Sequence, residues 1–261
     1  MKQFLAFFLI TAIGCNTASK NGLEMPGAYN MLSVSVKNEK TDTSFSNILQ
    51  HKIFTSDFIM YANVNPKDSV SSFGVGTYDV SNDTLTEHIF LSAADTTKNE
   101  QKRNFNLIIE KLPKGFKQVI PDMEWSGGQK MTLTETYDRV GTDVTSPLDG
   151  LWKLVTRYNV KGTDTIMGDP SQYKMYYAGE FIFGHTWVDS VNKTHTGIGY
   201  GTFKMDGANK VKENILASTY YEIRGKLVDL DIEMNGTDSY KQTITQADGT
   251  KNVEIYERVK K

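Results

Sequence analysis

The chain has 261 residues, a net charge of -2 and one cysteine. With a pI near 6.1, it offers no electrostatic reason to expect nucleic acid or an anionic surface as partner, and a lone cysteine excludes an internal disulfide or a cysteine-based metal site. Aromatic residues make up 11%, with 13 Tyr and 13 Phe, enough for a sizeable core and a composition that favours strands.

Met1-Lys2-Gln3 is a short basic start, and Phe4 to Ile13 is a run of small and apolar residues too short to span a bilayer. That pattern reads as a secretion signal. The residues Ala12-Ile13-Gly14 leading into Cys15 resemble the lipobox of bacterial lipoproteins, with Ala12 where Leu is usual. The resemblance implies that residues 1–15 are a lipoprotein signal peptide, cleaved before a lipidated Cys15. The chain would then be anchored to a bacterial membrane in the cell envelope, on its periplasmic or surface face. Acyl chains at about 0.8 kcal/mol per buried CH₂ would hold it firmly. The alternative is an ordinary signal peptide with an incidental cysteine. Residues 16–24 (NTASKNGLE) read as a flexible tether.

Beyond the tether the chain repeats itself. Gly27-Ala28-Tyr29 opens an alternating segment as Gly150-Leu151-Trp152 does. Lys52-Ile53-Phe54 matches Lys174-Met175-Tyr176, Asp57 to Met60 matches Glu180 to Phe183, and Gly74 to Tyr78 matches Gly199 to Phe203. Phe116-Lys117-Gln118 matches Tyr240-Lys241-Gln242, and Tyr137 to Val140 matches Tyr256 to Val259. The spacing stays near roughly 120 residues, a tandem duplication of domain-sized units rather than a solenoid. The units are residues 25–140 and 149–261, joined by residues 141–148, whose Gly, Asp, Thr, Ser and Pro are linker composition.

In the second unit strand signals fall at Leu151–Val160, Gln172–Ala178, Glu180–Asp189, Thr194–Met205, Val211–Thr219, Lys226–Met234, Ser239–Gln246 and Asn252–Val259. Turn signals such as Asp206-Gly207, Asn235-Gly236 and Asp248-Gly249 separate them. No helical period is sustained, and Ile215 to Ile223, the nearest approach to a helix, suits a strand better. About eight antiparallel strands in such a length is the count at which a closed barrel encloses one small ligand. The first unit reads the same way, with a charged excursion at Asp95–Asn104 that reads as a solvated loop.

A Gly-x-Trp step into the first strand and an arginine near the end of the last, Trp152 and Arg258, is similar to the lipocalin and wider calycin pattern. That resemblance implies an all-β fold of two tandem antiparallel up-and-down β-barrels, about eight strands each. It also implies that the arginine lies across the indole and closes one barrel end, gaining roughly 0.5–2 kcal/mol of cation–π energy. In the first unit Tyr29 and Arg139 take these places.

Few residues suggest chemistry. Gly74-x-Gly76 and Gly197-x-Gly199-x-Gly201 lack the following helix of a phosphate cradle and read as room for a bending strand. His51, His88, His185 and His195 do not recur at matching positions, so no shared metal site is expected, and there is no nucleophile elbow. The barrel interior is the better candidate. Trp152 pointing inward puts Tyr158 inward near the mouth, and Arg258 inward puts Tyr256 there. Tyr177, Phe181, His185, Trp187, Tyr200 and Tyr240 are the other ring-bearing candidates, their facing set by register.

The leading expectation is a lipid-anchored envelope protein that binds a small apolar or amphipathic ligand in such an interior, without cofactor or turnover. The alternative is a non-catalytic scaffold with filled barrels, whose loops contact a protein partner. A calycin-type isomerase or hydrolase would need a perturbed polar group in the pocket, with His185 the candidate.

Overall fold

The structure is a computed structural model and describes residues 24–46, 48–65, 71–93, 103–124 and 128–261. The signal segment, Cys15, all but the last residue of the tether, and most of the Asp95–Asn104 excursion lie outside the described residues.

The first unit consists of β1 (Gly27–Lys37), β2 (Asp42–Ser46), β3 (Gln50–Phe54), β4 (Phe58–Asn63), β5 (Ser72–Ser81), β6 (Thr84–Ser92), β7 (Arg103–Leu112), β8 (Gly115–Glu124) and β9 (Lys130–Val140). The second consists of β10 (Gly150–Lys161), β11 (Asp164–Met167), β12 (Gln172–Tyr177), β13 (Glu180–Val188), β14 (Thr194–Met205), β15 (Lys210–Ser218), β16 (Leu227–Asn235), β17 (Ser239–Thr245) and β18 (Lys251–Arg258). Neighbours pair antiparallel, and β1–β9 and β10–β18 pairing closes each sheet on itself. One edge of β1 is shared, its first half by β3 and its second by β2. β10 is shared in the same way by β12 and β11. Each unit is therefore a closed antiparallel barrel of eight strand positions, and the fold is lipocalin-like. Closure removes the free edges that would otherwise invite association.

The pairing registers refine the repeat. Phe54 faces Ile59 across one hairpin and Tyr176 faces Phe181 across the other, so Ile59 corresponds to Phe181. The match of Asp57–Met60 to Glu180–Phe183 is one residue out. β11, a short exposed strand, is additional to those expected. The strand expected to run on past Ser218 stops there, and Tyr221–Ile223 forms a 3₁₀ turn. Ser218 Oγ accepts from the Tyr220 amide and the Ser218 carbonyl accepts from Arg224 Nε, which bends the chain back over the barrel end.

Both first strands carry a β-bulge, between Met31 and Ser33 in β1 and between Leu154 and Thr156 in β10. A bulge adds one residue and reverses which side chains face in. Trp152 and Leu154 point into the barrel; beyond the bulge it is Arg157, paired opposite Glu254, that does so. Tyr158, expected inward by simple alternation, lies on the outer wall beside Lys241.

The barrels pack through equivalent strands, β3–β5 of one against β12–β14 of the other. Ala28, Ile53, Met60, Phe73 and Val75 share one core with Leu151, Met175, Ile182 and Ile198. These strands are buried on both faces, which is why β13 reads as nearly unbroken apolar sequence instead of alternating. Gly184 allows the close approach: a Cβ there would stand 2.6 Å from the Phe73 ring. Tyr177 and Tyr200 belong to this seam and not to a barrel interior. Tyr200 stacks on His51 at 5.0 Å between centroids, and Tyr177 lines a crevice of about 270 Å³ with Phe58, Leu151 and Arg258. His51 Nδ1 donates to Asn30 Oδ1 at 2.6 Å, leaving the Nε2 lone pair 3.8 Å from the Glu180 carboxyl.

Candidate functional site

Each barrel is closed at one end around the ring of its first strand. In the second, the Arg258 guanidinium lies 4.0 Å above the centre of the Trp152 ring and donates to the carbonyls of Asp149, Pro147 and Thr237. The Trp152 indole donates to the Leu148 carbonyl at 2.6 Å. Tyr29 makes the corresponding bond to Met25, also four residues upstream, at 3.0 Å. The Arg139 guanidinium lies beside the Tyr29 hydroxyl, both close against Gly27.

Above this floor the second barrel is packed with rings. Tyr240 is edge-on to Trp152 and stacked on Tyr256, and Tyr176 packs against Phe181 and Phe203. Phe181, Tyr240 and Tyr256 therefore point inward, but they fill the closed end and line no cavity among the described residues.

The next layer up is polar. Lys174 Nζ pairs with Glu213 at 2.7 Å and donates to Gln242 Oε1 at 3.1 Å. Gln242 Nε2 donates to Glu254 Oε2 at 3.0 Å, and the Tyr256 hydroxyl donates to the same oxygen at 2.8 Å. Gln172 donates to the Tyr256 hydroxyl, and Tyr176 donates to Glu213. Arg157 Nε reaches the other Glu254 oxygen at 3.5 Å. Burial, with Glu213 or Glu254 close by, holds the Tyr176, Tyr240 and Tyr256 hydroxyls well above the ordinary phenol range; Tyr176 and Tyr256 donate to those carboxylates, while the Tyr240 hydroxyl has no hydrogen-bond partner among the described residues.

The first barrel repeats six side chains of the layer, with Phe54 where Tyr176 stands and Val34 where Arg157 stands. Lys52 pairs with Glu87 at 2.9 Å and donates to Gln118 at 3.2 Å. Gln118 donates to Glu135, Tyr137 donates to Glu135 Oε2 at 2.9 Å, and Gln50 donates to the Tyr137 hydroxyl at 2.7 Å. Gln50, Lys52, Glu87, Gln118, Glu135 and Tyr137 thus correspond to Gln172, Lys174, Glu213, Gln242, Glu254 and Tyr256, identical in type at every position. Such a layer is tolerated inside a barrel only because nearly every polar atom has a partner. Sequence reasoning missed it. The signal was present in the repeat, where Lys52/Lys174 and Gln118/Gln242 keep polar identity on faces whose neighbours are core.

Over the polar layer the second barrel opens into a cavity of about 350 Å³. Phe183, Ile215, Ile223, Val228 and Ile244 form its apolar wall, and Arg157, Lys174, Gln242 and Glu254 form its polar base. Gly199 makes room for Phe183, since a Cβ there would lie 2.4 Å from that ring; Gly74 does the same for Tyr61. His185 lines the mouth and is hydrogen-bonded to Tyr220, which the chain beyond Ser218 carries across the opening. Burial pushes His185 down to about 4, so it is neutral. Trp187 lies further out at the rim, stacked on His195 at 5.3 Å and outside the cavity lining. Among the described residues, no group of three or more His, Cys, Asp or Glu is placed to hold a metal ion.

Fold and site together define a class: tandem lipocalin-like barrels, each sealed at one end by a ring and an arginine and crossed by a buried ionic layer. No family model and no curated protein matches the chain. Among solved structures it is similar to a lipocalin-like protein from Bacteroides uniformis, at 18% identity over 44% of this chain and 100% of that one, with a TM-score of 0.31. It is also similar to a DUF3598-family protein of unknown function from Nostoc punctiforme, at 10% identity over 90% of this chain and 96% of that one, with a TM-score of 0.25.

Proposed function

We propose that the second barrel binds a small amphipathic molecule non-covalently through its open end. The observation that carries this reading is the cavity of about 350 Å³, with an apolar wall over a polar base. Its size is near the lower end of small-molecule sites, roughly 300–1,000 Å³. The apolar part of the ligand would lie against Phe183, Ile215 and Val228. Its polar end would face Arg157 and Gln242, which retain hydrogen-bonding capacity beyond their present bonds. Binding without turnover is the reading because the ionisable groups at the base are engaged with one another. The test is fluorescence titration with anilinonaphthalene sulfonate, beside native mass spectrometry of the purified full chain. Saturable uptake that Ile215→Trp abolishes and the outer-wall change Leu216→Trp leaves intact supports the reading. Uptake insensitive to Ile215→Trp removes it.

We also propose, from the sequence, that Cys15 anchors the chain to a membrane of the cell envelope. Cys15→Ser should move the protein from the membrane fraction to the soluble one; unchanged membrane association would exclude lipidation as the anchor.

A further inference from the structure

Every residue lining the cavity of the second barrel is described, and two of them carry polar groups that the protein matches incompletely. The first is Arg157. In the polar layer the side chains of Lys174, Glu213 and Glu254 are 3%, 5% and 7% exposed, against 33% for Arg157. The two carboxylates are covered by their own donors. Glu213 takes Lys174 and Tyr176, and Glu254 Oε2 takes Gln242 and Tyr256. The Arg157 guanidinium stands 3.5 Å from Glu254 Oε1, outside the ~2.7–3.2 Å of an N–H···O hydrogen bond. Glu222, the third carboxylate of the lining, is exposed on the 3₁₀ turn at the rim. The charge that the base turns toward a ligand is therefore positive. A planar guanidinium takes a carboxylate through two parallel bonds.

The second is Asn252. It pairs with Asn159 across β10 and β18, as Glu254 pairs with Arg157 two residues deeper. Asn252 thus shares the inward face of Glu254, roughly 7 Å along the strand toward the mouth. Its Nδ2 donates to Asn159 Oδ1 at 2.8 Å, and its Oδ1 is buried without a hydrogen-bond partner. A buried acceptor without a donor carries a desolvation cost that a ligand N–H or O–H removes. Beside both groups run the apolar side chains of Phe183, Ile215, Val228 and Ile244. A ligand matched to this wall has an acidic head, a hydrogen-bond donor next to it and an apolar tail. A plain fatty acid lacks the donor. We propose, resting on the reading of this cavity as a binding site, that the second barrel takes an N-acyl amino acid. Its carboxylate lies on Arg157, its amide N–H on Asn252, and its acyl chain along the apolar wall toward the mouth.

Calorimetric titration of the full chain with N-octanoylglycine, its methyl ester and decanoic acid tests this. The acylglycine should bind at least tenfold more tightly than the ester, which keeps the N–H and loses the charge. It should bind at least fivefold more tightly than decanoic acid, which keeps the charge and lacks the N–H. Arg157→Gln should weaken both acids at least tenfold, and Asn252→Val should bring the two within twofold of each other. Thermal unfolding of each variant separates lost binding from lost fold, and the three wild-type titrations decide alone if a variant does not fold. The proposal is overturned if the ester or decanoic acid binds as tightly as the acylglycine, or if either folded variant leaves the pattern unchanged. Dye uptake that Ile215→Trp abolishes, with no binding of the acylglycine, overturns this inference and leaves the cavity reading standing. Dye uptake insensitive to Ile215→Trp removes the cavity reading and this inference with it.

Discussion

Lys174 is 3% exposed in the middle of a barrel and is held by Glu213 and Gln242. Taking both charges out of water is expensive, and their attraction roughly offsets that expense only while both are present. Lys174→Met should therefore destabilise the second barrel by about 3–5 kcal/mol, because Glu213 is left buried and unpaired. Adding Glu213→Gln should recover at least half of the loss, as read by urea unfolding. A single variant within about 1 kcal/mol of wild type would show that water reaches Glu213 and that the layer is not dry. The same logic explains why lysines, glutamates and glutamines stand on inward faces here. Residue by residue they look like surface positions, and only the network makes them interior ones.

At the scale of the strand, the bulge in β10 decides which side chain meets a ligand. Counting by twos from Trp152 leads to Tyr158; the extra residue at the bulge substitutes Arg157. Tyr158→Ala should leave dye uptake within about twofold of wild type, whereas Arg157→Gln should weaken it several-fold, since the sulfonate loses its cation. Equal effects would mean that the bulge does not set the facing. Gly199 works at the same scale. Gly199→Ala would press a methyl into the Phe183 ring, 2.4 Å from the new Cβ. The expected result is a loss of about 1–3 kcal/mol by overpacking, and weaker dye uptake as the ring is driven into the cavity. Alternation and turn chemistry made the strands legible, together with the duplication and the Trp152–Arg258 closure. Bulges were not legible, because a bulge depends on the pairing partner and leaves no periodic mark in its own strand.

For the whole molecule, the seam between barrels carries a pH dependence. Burial raises Glu180 from 4.5 to about 7, and lowers the facing His51 from 6.5 to about 3. Glu180 binds its proton more tightly when folded, so its contribution is complete below about 4.5 and is lost as pH rises through about 7. His51 behaves oppositely: its contribution is complete above 6.5 and is lost as pH falls toward about 3. Glu180→Gln should therefore reduce the stability lost between pH 5 and pH 8 by roughly 1–3 kcal/mol. Urea unfolding at the two pH values checks this, and an unchanged difference would place the proton elsewhere. The seam was not legible in sequence. Tyr177 and Tyr200 have the composition of pocket residues, and nothing in one strand distinguishes a ring that meets a ligand from one that meets another barrel.

The sequence by itself determined the all-β class, the duplication and the ring-and-arginine closure, because each rests on local periodicity or on a motif present twice. The tertiary structure decided which face of each strand looks inward, that Tyr177 and Tyr200 join the barrels, and that six polar residues per unit converge into one buried layer. Those outcomes depend on register, bulges and pairing between distant strands, where a shift of one residue exchanges inside for outside.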